Sequence, residues 1–142
     1  MILPDVNLLF HAYNQESPAH VGARAWWERL MNGAGAVGLA WAAILGFVRV
    51  ATHPRILAHP MPVTSACALA RAWLDQPQVT IVHPGGRHAS ILFDLLERLG
   101  TGGNLTTDAH LAALAIEHQA ELHSTDADFA RFPGLRWVNP LR

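Results

Sequence analysis

Four carboxylates stand where they could do chemistry together. Asp5 follows the first apolar run, and Asp108, Asp126 and Asp128 fall within TTDAHLAALAIEHQAELHSTDADF, residues 106 to 129. Carboxylates brought together repel by about 4 kcal/mol per pair at 4 Å with an effective dielectric near 20, so a positive centre or a shared proton must compensate. Mg²⁺ or Mn²⁺ suits such a set, because hard divalent cations prefer oxygen ligands and keep several waters. The chain has no cysteine pair and no H-x-x-x-H spacing, which gives zinc less support. An acid-rich Mg²⁺ site in a small α/β domain suits phosphodiester hydrolysis. The ion lowers the pKa of a water, orients it and neutralises phosphate charge, and a second ion roughly 3.5 to 4 Å away would stabilise the leaving oxygen.

Each acid also has a local role open to it. Asp108 in a first helical turn is favoured by the helix dipole, with Thr106 or Thr107 as cap. Asp126 and Asp128 suit a polar turn or the cap of FARF, and Asp5 suits the cap of the first helix. The metal reading therefore rests on convergence, which the secondary-structure pattern must supply.

The pattern alternates. MILP reads as a strand and VNLLFHAYN as a helix; Ser17 as N-cap and Pro18 as first helical residue start a helix over AHVGARAWWERLM. A buried strand at about 36 to 41, the helix AAILGFVRVA and the proline-rich loop THPRILAHPMP follow. Then come the helix TSACALARAWL, the β-branched strand VTIVHP and the helix HASILFDLLERL with Gly100 as C-cap. GTGGN is a flexible loop, and helix 107 to 119, strand 121 to 125 and the strand LRWVN complete the chain. Strands separated by helices imply a parallel sheet with helices on its faces. In such a unit a helix begins and a strand ends at the same carboxyl edge. About twelve helical residues descend roughly 18 Å and about five strand residues climb back roughly 17 Å, so Asp108 and Asp126 end level. Asp5 joins them if the first strand lies beside the strand at 121 to 125, at the edge where open α/β sheets bind ligands.

Composition sets the bounds. The 142 residues are 51% hydrophobic and 15% charged, enough for one domain over residues 1–142 with a sizeable core. The ten basic residues are all arginine, against eleven acids, so a polyanionic or membrane partner must be held by a local patch. Cys67 is the only cysteine; it allows no internal disulfide, makes a reducing compartment the expectation, and reads as a buried core thiol. Asp5 inside the first apolar run argues against a signal peptide. Residues 30 to 48 lack charge and reach the length of a membrane span, but Asn32 and four glycines break them into a turn, a strand and a helix.

These residues carry a resemblance. LPDVNLLFHAY, GFVRVATHPRI and above all GNLTTDAHLAALAIEHQAELHSTDADFARFPGLRWVNPL resemble the PIN-domain ribonucleases of the VapC toxin type, over essentially the whole chain. The resemblance implies a three-layer α/β/α domain with a central, mainly parallel sheet. It implies a cytoplasmic Mg²⁺- or Mn²⁺-dependent endoribonuclease that cleaves structured RNA of the tRNA or rRNA class, is neutralised by a cognate VapB-type antitoxin and forms a homodimer. Position by position, Asp5 matches the first family acid, Asp108 the acid at the later helix start and Asp126 the acid after the following strand, with Asp128 a further metal candidate. Asn7 and Thr125 match polar positions beside the acids and would supply supporting hydrogen bonds.

One departure stands out. Many PIN domains place a glutamate on the helix after the second strand, whereas no Asp or Glu occurs between Glu28 and Asp75, and Gly46 sits about where that acid would fall. A branch of these toxins similarly reads Gly/Ala-Phe-x-Arg there. Arg49, close by, is placed to contact RNA phosphate, an acid of the site, or neither. The nine histidines are scattered and none stands out as a general base; His110, two residues from Asp108, points away from it on a helix. Adjacent Trp26 and Trp27 are expected to place one ring at the surface, facing an antitoxin or dimer partner. Two alternatives to the ribonuclease remain: a PIN-like protein that binds RNA or antitoxin without chemistry, and a metal-dependent phosphatase.

Overall fold

The structure is a computed structural model describing residues 1–142. Five strands, β1 (Ile2–Pro4), β2 (Val37–Ala40), β3 (Val79–Val82), β4 (Glu121–His123) and β5 (Trp137–Val138), form one sheet in the order β3-β2-β1-β4-β5. Every pairing is parallel. Six helices connect them: α1 (Val6–Tyr13), α2 (His20–Asn32), α3 (Trp41–Ala51), α4 (Val63–Leu74), α5 (His88–Leu99) and α6 (Thr106–Glu117).

The sheet separates two apolar cores, as expected for the α/β/α sandwich. In β2 all four residues are buried, and their two-residue alternation sends them to opposite sides. Val37 and Leu39 join α1, α2, α3 and α4 around Leu8, Trp27, Phe47 and Trp73. Ala40 joins Leu3 and Leu122 beneath α5 and α6, around Leu95, Leu111 and Phe129. No helix is long and apolar enough to cross a membrane; the uncharged stretch 30 to 48 resolves into the end of α2, β2 and most of α3.

Three local expectations are corrected. α2 begins at His20 rather than Pro18, because Ser17 Oγ accepts the Ala19 N–H at 3.1 Å and binds His11 Nδ1 at 2.7 Å. Ser17 thus closes a turn before the helix. Trp26 and Trp27 are both buried, at 4% and 3% exposure. Neighbouring helical side chains point about 100° apart, and each meets its own wall: Trp26 packs on His123 and Trp27 on Trp73. Cys67 is half-buried, since α4 lies on an outer face of the domain where only Ala66, Ala70 and Trp73 are fully buried and Leu69 and Leu74 pack at the margin of the core. Gly100 ends α5 at φ 74°, the left-handed conformation in which glycine carries no Cβ penalty.

Candidate functional site

β1 lies between β2 and β4, so the chain builds the sheet outward from β1 to β3 and then returns to the other side of β1. The β1–β4 junction is the topological switch point, where open α/β sheets form their ligand crevice. The register Pro4↔His123 and the bond from the Asp5 N–H to the His123 carbonyl at 2.9 Å set Asp5 level with Ser124. Both leave the carboxyl edge together.

Asp5 is buried, at 5% exposure. Its Oδ1 accepts the Val6 N–H at 2.7 Å, capping α1, and its Oδ2 accepts the Ser124 hydroxyl at 2.8 Å. Burial pushes its pKa up; the bonds from Ser124 and Val6 pull it down, and the charge of Asp126 raises it again. Ser124 is itself fully buried and ties the site together. Its Oγ also accepts the Asp126 N–H at 3.0 Å and lies 3.4 Å from Asn7 Oδ1. The linking hydroxyl is therefore Ser124, one position before Thr125, which makes none of these contacts. The sequence contained the signal, since Ser124 is the first residue past a strand beside Asp126, but both hydroxyls stood there and only the sheet register chooses between them.

Asp108 sits in the first turn of α6, which starts without a side-chain cap and is buried along Ala109 and Leu111–Ala115. A helix enclosed on most sides cannot tilt its first turn away, so Asp108 is held half-buried toward the strand ends. Its pKa is pushed up to about 6, by burial first and then by the charges of Asp5, Asp126 and Asp128. Asp108 thus feels the charges of the other three acids, which come from two other segments of the chain. Asp126 Oδ1 also accepts the Asp128 N–H at 2.9 Å, capping the 3₁₀ turn Ala127–Arg131. The local roles and the convergence coexist.

Arg49 is exposed on α3 and joins neither arginine–carboxylate ion pair of the structure, Arg24–Glu28 or Arg98–Asp94. Gly46 explains part of the missing glutamate. A Cβ there would lie 2.9 Å from Val6 Cγ2, so α3 closes on the first turn of α1 through the absent side chain. Behind Ser124, sequence reading also missed a buried relay. Trp26 Nε1–H donates to His123 Nδ1 at 3.1 Å, and His123 Nε2 pairs with Glu121 Oε1 at 2.7 Å. Because the indole can only donate, Nδ1 must accept and Nε2 must carry the proton. His110 does turn from Asp108 and binds His88 across α5, at 3.0 Å.

The larger clefts of the surface lie elsewhere, one of about 370 Å³ beside Ile116, Gln119 and Arg136, one of about 240 Å³ beside His20, Arg24 and Trp27 and one of about 220 Å³ beside Tyr13, Leu57 and Met61. The acids occupy an open sheet edge, which suits a large substrate better than an enclosed small molecule. As placed, no three His, Cys, Asp or Glu side chains converge as a ready-made ligand set, in keeping with the repulsion between them. Their donor chemistry nevertheless fits a hard divalent cation: oxygen-only ligands, Asp5 among them shielded from water, with like charges that a cation offsets.

The PIN domain family matches residues 2–135. Ribonuclease VapC33 of Mycobacterium tuberculosis is 49% identical over 142 residues, 100% of this chain and 99% of that protein. Among solved structures, Mycobacterium tuberculosis VapC20, described as a sarcin-ricin loop cleaving toxin, aligns with TM-score 0.70 at 18% identity, over 96% of this chain and 99% of that one. VapBC2 of Rickettsia felis, bound to a DNA fragment from its promoter, aligns with TM-score 0.68 at 17% identity over 98% of both chains.

Proposed function

The chain belongs to the PIN-domain family, in its VapC-type ribonuclease branch, and on that footing we propose that it is a metal-dependent endoribonuclease toxin. Its substrate is structured cellular RNA of the tRNA or rRNA class, its inhibitor a cognate VapB-type antitoxin, and its own assembly a homodimer. The observation that carries the chemistry is the placing of Asp5, Asp108, Asp126 and Asp128 along the β1–β4 edge, near enough that the charges of the other three add to burial in raising the pKa of Asp108. The full-length likeness to a ribonuclease supports the reaction class. The RNA class draws on the loop-cleaving toxin of like fold, and the antitoxin on the VapBC pair of like fold.

Asp5, Asp108 and Asp126, with Asp128 at the exposed rim, would hold Mg²⁺ or Mn²⁺. When bound, such an ion activates water at neutral pH and offsets charge on the phosphate. The protein's own part is positioning. Ser124 and the first turn of α1 lock both oxygens of Asp5, and the same hydroxyl fixes the backbone at Asp126. The Trp26–His123–Glu121 relay holds the end of β4 from behind. The open edge lets a folded RNA lay one strand across the acids.

The test is cleavage of total cellular RNA by the purified, antitoxin-free protein in Mg²⁺ or Mn²⁺ beside an identically prepared Asp108→Asn variant. Discrete fragments from the wild type, abolished by chelator and by the substitution, are expected. Identical patterns from both proteins, or none from folded wild type with either ion, would sink the proposal.

A further inference from the structure

β5 is only two residues long, Trp137–Val138, yet it holds the residue on which the acid edge turns. Its ladder to β4 pairs Leu122 with Trp137 and His123 with Val138. The Leu122 N–H donates to the Arg136 carbonyl at 2.8 Å and the Ser124 N–H to the Val138 carbonyl at 3.1 Å. A parallel ladder continues with the same slant and spacing, so its next bond would run from the N–H of residue 140 to the Ser124 carbonyl. Residue 140 is proline, which has no N–H to give. Ser124 is fully buried, so its carbonyl cannot turn to water instead, and a buried carbonyl without a donor is costly.

A side chain supplies the missing donor. The Trp137 Nε1–H donates to the Ser124 carbonyl at 3.0 Å. The indole is half-buried, stands opposite Leu122 in the register and packs against the core beneath α5 and α6, so the bond has a fixed direction. β5 thereby grips Ser124 at both ends, its N–H by Val138 and its carbonyl by Trp137. Peptide units are planar, and holding the two that flank Ser124 sets the direction of its Cα–Cβ bond and of the turn by which the chain leaves β4. The hydroxyl on that Cβ donates to Asp5 Oδ2 at 2.8 Å and accepts the Asp126 N–H at 3.0 Å.

We infer that Trp137 is a positioning residue of the acid edge, acting on Asp5 and Asp126 through Ser124 and standing in for the backbone donor that Pro140 lacks. The inference rests on the ribonuclease reading for the reaction it serves. Groups that orient metal-ligating side chains from behind typically govern ion affinity or rate by about 10- to 100-fold. Trp137 acts one contact further back, through a residue that serves two acids at once, which places its effect at the lower end of that range.

The experiment compares wild type with Trp137→Phe, Ser124→Ala and the double variant. A further protein carries 3-benzothienylalanine at position 137, which keeps the bicyclic ring and replaces the N–H by sulfur, so that it decides the matter even where Trp137→Phe does not fold. Mn²⁺ affinity is measured by electron paramagnetic resonance, and cleavage of an RNA hairpin in Mg²⁺ is resolved into kcat and KM. Loss of the indole N–H, in either form, is expected to weaken Mn²⁺ binding and to lower kcat by about tenfold, while KM stays put. In the Ser124→Ala background Trp137→Phe is expected to add little, because two residues acting through one contact are not additive. Losses that multiply in the double variant, or a benzothienylalanine protein with wild-type affinity and kcat, overturn the inference and leave the nuclease standing. A Trp137 variant with a lowered melting temperature but intact ion affinity and kcat does the same, since the indole then only fills space. Variants that order in Mn²⁺ affinity as expected, with no cleavage by wild type, keep the inference and sink the nuclease. No Mn²⁺ binding and no cleavage by folded wild type overturn both.

Discussion

Replacing Asp108 with asparagine should stabilise the metal-free protein, and only at neutral pH. The carboxyl of Asp108 titrates near 6 in the folded chain, against an ordinary value of 3.8, because it is half-buried and faces Asp5, Asp126 and Asp128. The folded state therefore holds this proton more tightly than the unfolded chain. Below about pH 4 both states are protonated and the group costs nothing; as pH rises from 4 to 7 the folded state must lose the proton, and stability falls. Two pKa units correspond to about 3 kcal/mol, which solvent screening of a half-exposed group cuts to on the order of 1–2 kcal/mol. Asparagine imitates the protonated acid. Urea unfolding in EDTA of both proteins from pH 4 to 7.5 should give a stability difference near zero at pH 4 that grows to about 1–2 kcal/mol in favour of Asp108→Asn by pH 7.5, a midpoint shift of roughly 0.5–1 M. Burial lowers the pKa of His11 and His110 and so destabilises both proteins on the acid side; the difference between them removes that contribution. A difference that stays flat with pH, or a variant that loses stability toward pH 7.5, would refute the four-acid convergence.

Other expectations follow from the same geometry. Mg²⁺ at millimolar concentration should raise the wild-type unfolding midpoint and do so less for Asp108→Asn, as mass action requires of a ligand held by the folded state. Ser124→Ala strips Asp5 Oδ2 of its donor and should cost about 1–3 kcal/mol in urea unfolding and lower the cleavage rate, with Ser124→Thr restoring both. Trp26→Phe leaves His123 Nδ1 buried without its donor and should destabilise by at least 1 kcal/mol, read by thermal unfolding. Gly46→Glu should cost about 1–3 kcal/mol through collision with Val6 rather than add a metal ligand; Gly46→Glu combined with Val6→Ala should recover stability, and a cleavage gain from the single change would contradict this.

Periodicity and the alternation of strand-like and helix-like runs were enough to read an α/β domain, its helices and the acids at strand ends and helix starts, because these depend on patterns within a few residues. Gly100 as a C-cap and Asp5 as a helix cap are local in the same sense. The choice of Ser124 over Thr125 is different: the two hydroxyls are adjacent, and only the pairing of Pro4 with His123 across the sheet decides which faces Asp5. The two buried tryptophans belong with it, since sequence reading assigned α2 one buried face and packing supplied two. The cysteine shows the reverse, a residue of core character left half-exposed because α4 buries only a narrow face. What the sequence determined by itself is which groups could act and on which kind of element each stands. What only the tertiary structure decided is which of them meet, because side-chain direction, strand neighbours and the walls around a helix are set by contacts between segments as much as 119 residues apart, the Asp5–Ser124 bond among them.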